Sequence, residues 1–196
     1  MKKAAVVLAL LVFLGVFSHA QEERRGFYFD IGAGWAWIIY PEPFNTQVKN
    51  IAKVSGITRL TMDADLSIGY AVLPRLYIVG SVGCIVDSLH ASNALYLTTL
   101  MLGPGIKFYP LPSMKYLQLG FDAGYTNMYM KISDDPNSIS GDGGFGMQIS
   151  VACDFDSTLT GPALLLGGKF YMGILDGEFL PGFGLFAKFV VKAKRR

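Results

Sequence analysis

Residues 26–40 alternate between two kinds of side chain. Every second position is apolar, with aromatic residues near both ends: Phe27, Phe29, Ile31, Ala33, Trp35, Trp37 and Ile39. The positions between them are small, polar or mixed: Tyr28, Asp30, Gly32, Gly34, Ala36, Ile38 and Tyr40. A period of two residues is the period of a β-strand. An apolar face with aromatics at two heights, opposite a face with small and polar groups, is typical of a strand that crosses a membrane within a β-barrel.

Seven further stretches repeat this alternation. They cover residues 59–72, 76–88, 95–109, 116–130, 145–156, 163–174 and 182–192. In the register that keeps one face apolar, none of the eight stretches has a charged residue on that face. A Lys or Arg that faces lipid at mid-depth costs about 2–4 kcal/mol, so this distribution fits a lipid-facing surface. The sequence therefore predicts an all-β fold, an eight-stranded antiparallel up-and-down transmembrane β-barrel.

The connections between the predicted strands differ in length. The longer ones are residues 41–57, 89–93, 133–144 and 175–181, and the shorter ones are 73–75, 110–115 and 157–160. Membrane barrels of this kind keep short turns on the periplasmic side and long loops outside, which predicts that both termini are periplasmic. Pro104, in Gly103-Pro104-Gly105, cannot donate to a strand ladder, so we expect a bulge or a local gap there.

The N-terminus has the pattern of a secretory signal peptide. Lys2 and Lys3 precede an apolar run over residues 4–17, and Ser18-His19-Ala20 forms a small-x-small cleavage site. A membrane anchor is the alternative, but the run is short for a spanning helix. We therefore predict a signal peptide at residues 1–20 and a barrel domain at residues 21–196. Of the 17 basic residues, Lys2 and Lys3 would leave with the signal, so basic and acidic residues balance at 15 each and nucleic acid is not an expected partner.

The inward positions of the predicted strands divide by height. The charged set lies toward the periplasmic end, where opposite charges should pair: Asp30, Asp63, Asp65, Lys107, Asp154, Lys169 and Lys188. The apolar set lies toward the outer end: Ile38, Tyr40, Ile85, Leu95, Leu97, Met128, Tyr171 and Phe186. An eight-stranded barrel has room only for side chains or one small ligand. The apolar set is thus either a pocket for a small hydrophobic molecule or a packed barrel core. The two cysteines, Cys84 and Cys153, fall on outward positions far apart, which predicts two free thiols facing lipid.

Three segments carry a resemblance to a known group of proteins. They are residues 26–34 (GFYFDIGAG), 102–109 (LGPGIKFY) and 182–189 (GFGLFAKF), and with them nearly the whole mature chain resembles the small eight-stranded outer-membrane barrels of the OmpX, OmpA-barrel and OmpW group. The resemblance implies residence in the bacterial outer membrane, contact with the bilayer and outer-membrane lipids, and insertion by the barrel assembly machinery. In this group the last strand usually ends the chain at an aromatic residue, a position that Phe189 would take here, although residues 190–196 follow it.

The same resemblance implies a function. In OmpW-like barrels small apolar molecules are proposed to enter from outside and leave sideways, which implies binding or passage of a small hydrophobic molecule here. The alternative is a surface-exposed structural or adhesive protein whose long loops contact host or matrix. A lipid-modifying enzyme is a weaker alternative, because His90, near Asp87 and Ser88, is the only histidine left after signal removal and reads as a loop residue.

Other motifs point to no cofactor. Residues 141–146 match G-x-G-x-x-G but lead into a predicted strand rather than a helix, so we interpret them as turn glycines. Asp134, Asp135 and Asp142 lack the spacing of metal ligands, so no metal and no cofactor is expected. The basic tail at residues 192–196 is either a contact to anionic lipid head groups or a solvated end.

Overall fold

The computed structural model describes residues 26–91, 93–110, 116–133, 137–155 and 161–192. The predicted signal peptide at residues 1–20 lies outside the described residues, as do Asp134, Asp135 and the tail from residue 193 onward. The strands of the described ranges are β1 (Phe27–Ile38), β2 (Thr58–Leu73), β3 (Leu76–His90), β4 (Ala94–Phe108), β5 (Leu117–Ile132), β6 (Ser138–Ser140), β7 (Gly144–Asp154), β8 (Gly161–Leu175) and β9 (Glu178–Lys192). One helix, α1 (Phe44–Ala52), lies between β1 and β2.

Eight of these strands close into an antiparallel barrel. Sequential neighbours pair from β1 to β5, β5 pairs with β7, and the order continues through β8 to β9. The barrel closes where β1 pairs with β9, from Tyr28 opposite Lys192 to Ile38 opposite Gly182. The short β6 pairs only with the upper end of β5 and is not one of the eight strands that close the barrel. The predicted eight-stranded up-and-down barrel is therefore confirmed. We call the end that carries α1 the upper end and the end with the Pro74–Arg75 turn the lower end.

The two faces of the strands have the predicted orientation. Large apolar side chains such as Trp35, Tyr70 and Phe155 are well exposed on the outside, whereas Asp30 and Lys107 are buried in the lumen. Both cysteines are free, as predicted, with Cys84 half-buried and Cys153 exposed among the outward-facing residues. An apolar outside and a charged inside are what a bilayer requires of a spanning barrel.

Some predicted strand ends are wrong. The connections predicted as loops at residues 89–93 and 175–181 are shorter than predicted. β3 and β4 leave residues 91–93 between them, and β8 and β9 leave only Asp176-Gly177. These two residues adopt positive φ angles of 52° and 81°, as a tight two-residue hairpin requires. At Pro104 the strand β4 continues without an extra residue, and only the pairing to β5 is interrupted between Leu102 and Gly105, so the local gap is found and the bulge is not.

The long connection between β1 and β2, which the sequence predicts as a loop at residues 41–57, contains the helix α1. In α1 the positions Phe44, Val48 and Ala52 recur at intervals of four, which places them on one face of the helix. Val48 is almost completely buried, with 1% of its surface exposed. Within the described part of the chain no helix is long and apolar enough to span a membrane.

The upper ends of β1 and β2 part from one another. Their pairing begins at Phe27 opposite Tyr70 and ends at Trp35 opposite Met62, although β1 continues to Ile38 beside β9. A cavity of about 360 Å³ lies where the two strands separate, lined by residues of both, among them Trp37, Arg59 and Thr61. β1 is therefore hydrogen-bonded to β2 over only part of its length.

Candidate functional site in the barrel lumen

The lower and middle lumen contains a ladder of alternating acids and lysines. The Lys169 ammonium lies 2.8 Å from a carboxylate oxygen of Asp63 and 2.8 Å from one of Asp65. The Lys188 ammonium lies 3.2 Å from the same Asp65 and 3.7 Å from Asp30. The order is thus Asp30, Lys188, Asp65, Lys169 and Asp63, with an acid at each end. All five side chains are buried, so their charges interact with little screening by water.

Two further ion pairs complete the polar part of the lumen. The Lys107 ammonium donates 2.8 Å hydrogen bonds to both carboxylate oxygens of Asp122, and Lys192 pairs with Asp154. The Asp154 carboxylate also accepts a hydrogen bond from the Tyr109 hydroxyl, at 2.8 Å. These contacts tie β4, β5, β7 and β9 together through the inside of the barrel. The ladder and these two pairs, which we call the polar network, occupy the lower and middle lumen of the described barrel with buried side chains.

The ends of the ladder keep carboxylate oxygens without hydrogen-bond donors. Within the described residues, Oδ1 of Asp30 and both oxygens of Asp63 have no hydrogen-bond partner, although Asp63 Oδ2 is the oxygen close to Lys169. Buried polar atoms in proteins are nearly always satisfied, and an exception needs an explanation such as a bound group. The unsatisfied atoms of Asp63 lie at the height where the polar lumen meets the apolar one.

The upper lumen is apolar. Its buried side chains form one cluster: Ala36, Ile38, Tyr40, Val48, Ile85, Leu89, Leu97, Met101, Tyr171, Leu175 and Leu180. Phe44, Ala52, Ile57, Leu95, Met128 and Met130 pack against them and are less buried. We call this set the upper cluster. The hydroxyl of Tyr171, a member of this cluster, lies 2.7 Å from the hydroxyl of Thr126 beside it.

Helix α1 covers the upper cluster. Val48 and the half-buried Phe44 contribute the apolar contacts, and the Phe44 ring packs edge-on against Tyr40 with 5.2 Å between the ring centroids. The start of the helix is held by Glu42, whose carboxylate accepts hydrogen bonds from the Thr46 backbone N–H and the Asn45 side chain. These bonds, from Thr46 first and then Asn45, lower the pKa of the Glu42 carboxyl. The helix is thus a lid fixed by a small apolar contact and a local cap.

A second charged group lies at the rim beside the lid. The buried Asp87 carboxylate accepts two hydrogen bonds from the Arg59 guanidinium, at 2.9 and 2.7 Å. It also accepts the Tyr40 hydroxyl at 3.0 Å and the Thr61 hydroxyl at 2.9 Å. A bidentate arginine–carboxylate contact is among the stronger hydrogen-bonded pairs in proteins. It anchors Tyr40, and therefore the chain that leads into α1, to β2 and β3.

The sequence-predicted residues fall into these groups with one exception. All seven predicted charged residues are in the polar network, and seven of the eight predicted apolar residues belong to the upper cluster or pack against it. Phe186 does not, because it belongs to a separate lower cluster with Tyr28, Leu165 and Val190. The Lys188 ammonium lies 4.8 Å from the centre of the Phe186 ring, a cation–π contact that holds the ring in the polar part of the lumen.

Sequence reasoning missed several contributors. The sequence predicts Lys192 as the start of a basic tail that either contacts anionic lipid head groups or is solvated, but Lys192 is buried and pairs with Asp154. Lys192 lies four residues after Lys188 on β9, an even spacing that puts both on the same face of the strand, and this was the signal that could have placed it inside. The pairing of Arg59 with Asp87 was not predicted either, although both residues fall on inward positions of neighbouring strands. No sequence feature near Asp87 indicated a partner.

The residues of the weaker enzyme hypothesis do not come together. His90 is exposed at the end of β3, with its ring edge-on to Tyr96 at 5.8 Å. Asp87 is bound to Arg59, and the Ser88 hydroxyl donates to the Leu60 carbonyl at 2.9 Å. Within the described residues no group of three or more His, Cys, Asp or Glu side chains has the geometry to hold a metal ion.

The closed eight-stranded barrel, with its apolar outer surface and charged lumen, has the fold of the small outer-membrane β-barrels. One similar solved structure is Ail, the attachment invasion locus protein of Yersinia pestis, in complex with the heparin analogue sucrose octasulfate. It matches with a TM-score of 0.54 at 11% identity and covers 87% of this chain and 99% of that chain. Another is Neisserial surface protein A, which matches with a TM-score of 0.56 at 11% identity over 84% of this chain and 96% of that chain. A second structure of Ail matches with a TM-score of 0.52 at 13% identity over 86% of this chain and 99% of that chain. No protein-family model and no curated protein matches the chain. At these identities the likeness establishes the fold alone.

Proposed function

We propose that the protein resides in the bacterial outer membrane, with both termini in the periplasm, and binds a small hydrophobic molecule in the upper lumen beneath α1. The observation that supports this proposal is the upper cluster itself, a group of apolar side chains inside a barrel whose lower half contains buried ion pairs. The fold shared with outer-membrane barrels supports the location. The proposal involves no catalytic step.

The lid supports a binding role better than a purely structural one. A barrel core can be filled by its own inward side chains, as the lower half is. Here the filling comes partly from α1, which sits on a connection between strands and contributes one fully buried apolar side chain, Val48. Moving α1 would therefore open the upper cluster from outside without unpairing any barrel strands.

The test uses methionine methyl groups as local reporters. Met101 is buried in the upper cluster, whereas Met62 is exposed on the outer face of β2. The folded barrel, labelled with ¹³C at its methionine methyl groups and held in detergent, is titrated with 1-hexanol and followed by NMR. We expect a saturable shift at Met101, and only a weak, non-saturable response at Met62 from partition into the micelle.

Two variants place the binding inside the barrel. Leu97 lies in the upper cluster, whereas Leu100, three residues later on β4, is exposed on the outer face. Leu97→Trp should fill the cluster and abolish the saturable shift at Met101, whereas Leu100→Trp should leave it unchanged. If Met101 responds no differently from Met62 in the unsubstituted protein, the upper lumen does not take up apolar molecules and the proposal is wrong.

Contact with host or matrix through the upper surface is a second candidate function. It is favoured by apolar side chains exposed on the upper connections, with Val54 at 56% and Ile139 at 63% exposure, and Ile51 at 40% on the outer face of α1. The attachment protein Ail, which shares the fold, supports the same idea. Ile51→Ser with Val54→Ser should reduce adhesion of cells that display the protein while leaving Val48 and the lid in place. Unchanged adhesion would remove this candidate.

A further inference from the structure

The charges of the lumen do not balance. Within the described residues six buried carboxylates, those of Asp30, Asp63, Asp65, Asp87, Asp122 and Asp154, face four buried lysines and one half-buried arginine. Asp87, Asp122 and Asp154 each have a cation of their own. The imbalance therefore falls on the ladder, in which three acids share Lys169 and Lys188. An uncompensated charge in a barrel interior is costly, and the ladder has one carboxylate more than it has lysines.

The missing positive group would fit at the upper end of the ladder. The Asp63 side chain is fully buried, and its Oδ1 has no hydrogen-bond donor among the described residues. Asp30, at the lower end, has its Oδ2 bound by the Tyr28 hydroxyl at 2.8 Å and Lys188 near its Oδ1. Asp63 has only the one ammonium of Lys169, which it shares with Asp65. The less satisfied end is thus the end that faces the apolar lumen.

Asp63 is also in position to reach a molecule in the upper cluster. It is the register partner of Ile85, which belongs to that cluster. On the other side, Gly184 pairs with Ala36, another member, and a β-carbon at Gly184 would lie 2.7 Å from Asp63 Oδ2. The glycine therefore leaves the carboxylate room that any larger residue would occupy. Asp63 therefore lies at the boundary between the ladder and the upper cluster.

We propose that the ligand of the upper lumen is a small amphiphile with one ammonium group, whose charged end binds Asp63 while its apolar body lies in the upper cluster. This inference rests on the proposed binding function and specifies its ligand class. An ammonium group carries the one positive charge that the ladder lacks and donates hydrogen bonds to the unsatisfied carboxylate oxygen.

The experiment compares two probes of equal length, hexylammonium and 1-hexanol, by the same Met101 methyl shift. The ammonium probe should bind about 10- to 100-fold more tightly than the alcohol, the factor expected for one charge-assisted hydrogen bond. Asp63→Asn should remove that preference and leave binding of 1-hexanol unchanged. The variant removes the surplus negative charge, so the folded barrel is expected to tolerate it.

Asp30→Asn is the matched control. It makes the same change in charge at the opposite end of the ladder, so it should retain most of the preference for the ammonium probe. Equal affinity for both probes in the unsubstituted protein, which needs no variant, would overturn the ammonium inference while the binding function stands. A preference that survives Asp63→Asn would overturn it as well. If neither probe shifts Met101 in a saturable way, the binding function and this inference both fail.

Discussion

Lys169 is the side chain whose loss should harm the barrel most. Its ammonium lies 2.8 Å from carboxylate oxygens of both Asp63 and Asp65, and only 1% of its side chain is exposed. Lys169→Met keeps the approximate length and apolar stem of the side chain but leaves two buried carboxylates without their shared cation. Removing one partner of a buried ion pair typically costs about 3–5 kcal/mol, and here one change uncovers two acids, so we expect at least this range.

The assay is reversible unfolding of the barrel by urea in lipid vesicles, followed by the fluorescence of Trp35 and Trp37, which face outward. Lys131→Met, at an exposed position of β5, is the control and should change the free energy of unfolding by less than about 0.5 kcal/mol. Adding Asp63→Asn to Lys169→Met should recover part of the loss, because one of the two uncovered charges disappears. A Lys169→Met barrel as stable as the Lys131→Met control would refute the idea that the ladder holds the lumen together.

Three further predictions concern the lid, the outer surface and the thiols. Val48→Asp should speed hydrogen exchange in α1 because it puts a charge into the upper cluster, whereas Val54→Asp at an exposed position should not; equal rates would mean that α1 is not held by Val48. Leu66→Arg, on the outward face of β2, should lower the free energy of unfolding in vesicles by about 2–4 kcal/mol, and an unaffected barrel would argue against lipid contact at that height. When the protein is unfolded without reductant, a thiol assay should count two free thiols, those of Cys84 and Cys153, and fewer than two would indicate a disulfide. In the barrel inserted into vesicles, neither thiol should react with a charged maleimide.

The barrel could be predicted from the sequence because one physical demand acts on every strand. Lipid surrounds the whole outer face, so each strand must repeat the same alternation, and positions such as Lys107 and Asp30 could be assigned to the inside without knowing their partners. The partners themselves depend on the stagger between distant strands. Whether Lys169 would meet Asp63 or Asp154 is set by the tilt of β8 relative to β2, which no local pattern encodes.

The missed elements carried weaker signals. The recurrence of apolar residues at Phe44, Val48 and Ala52 is a helical pattern, but it is short and follows prolines that favour a loop interpretation. Asp176-Gly177 is a strong two-residue hairpin signal, and giving it more weight would have extended β8 and β9 to their observed ends. No comparable signal indicates that Phe186 belongs to the lower cluster rather than to the upper one. From the same backbone position its ring could point toward either end of the lumen.

The early end of the pairing between β1 and β2 has a mechanical consequence. Above Trp35 the first strand is bonded on one side only, to β9, as far as the contact between the Ile39 N–H and the Pro181 carbonyl. The segment that carries α1 therefore leaves the wall from a strand that is already detached from its successor. Movement of α1 would therefore break no backbone hydrogen bond between β1 and β2 above Trp35, and the contact that it would strain is the one between the Tyr40 hydroxyl and Asp87.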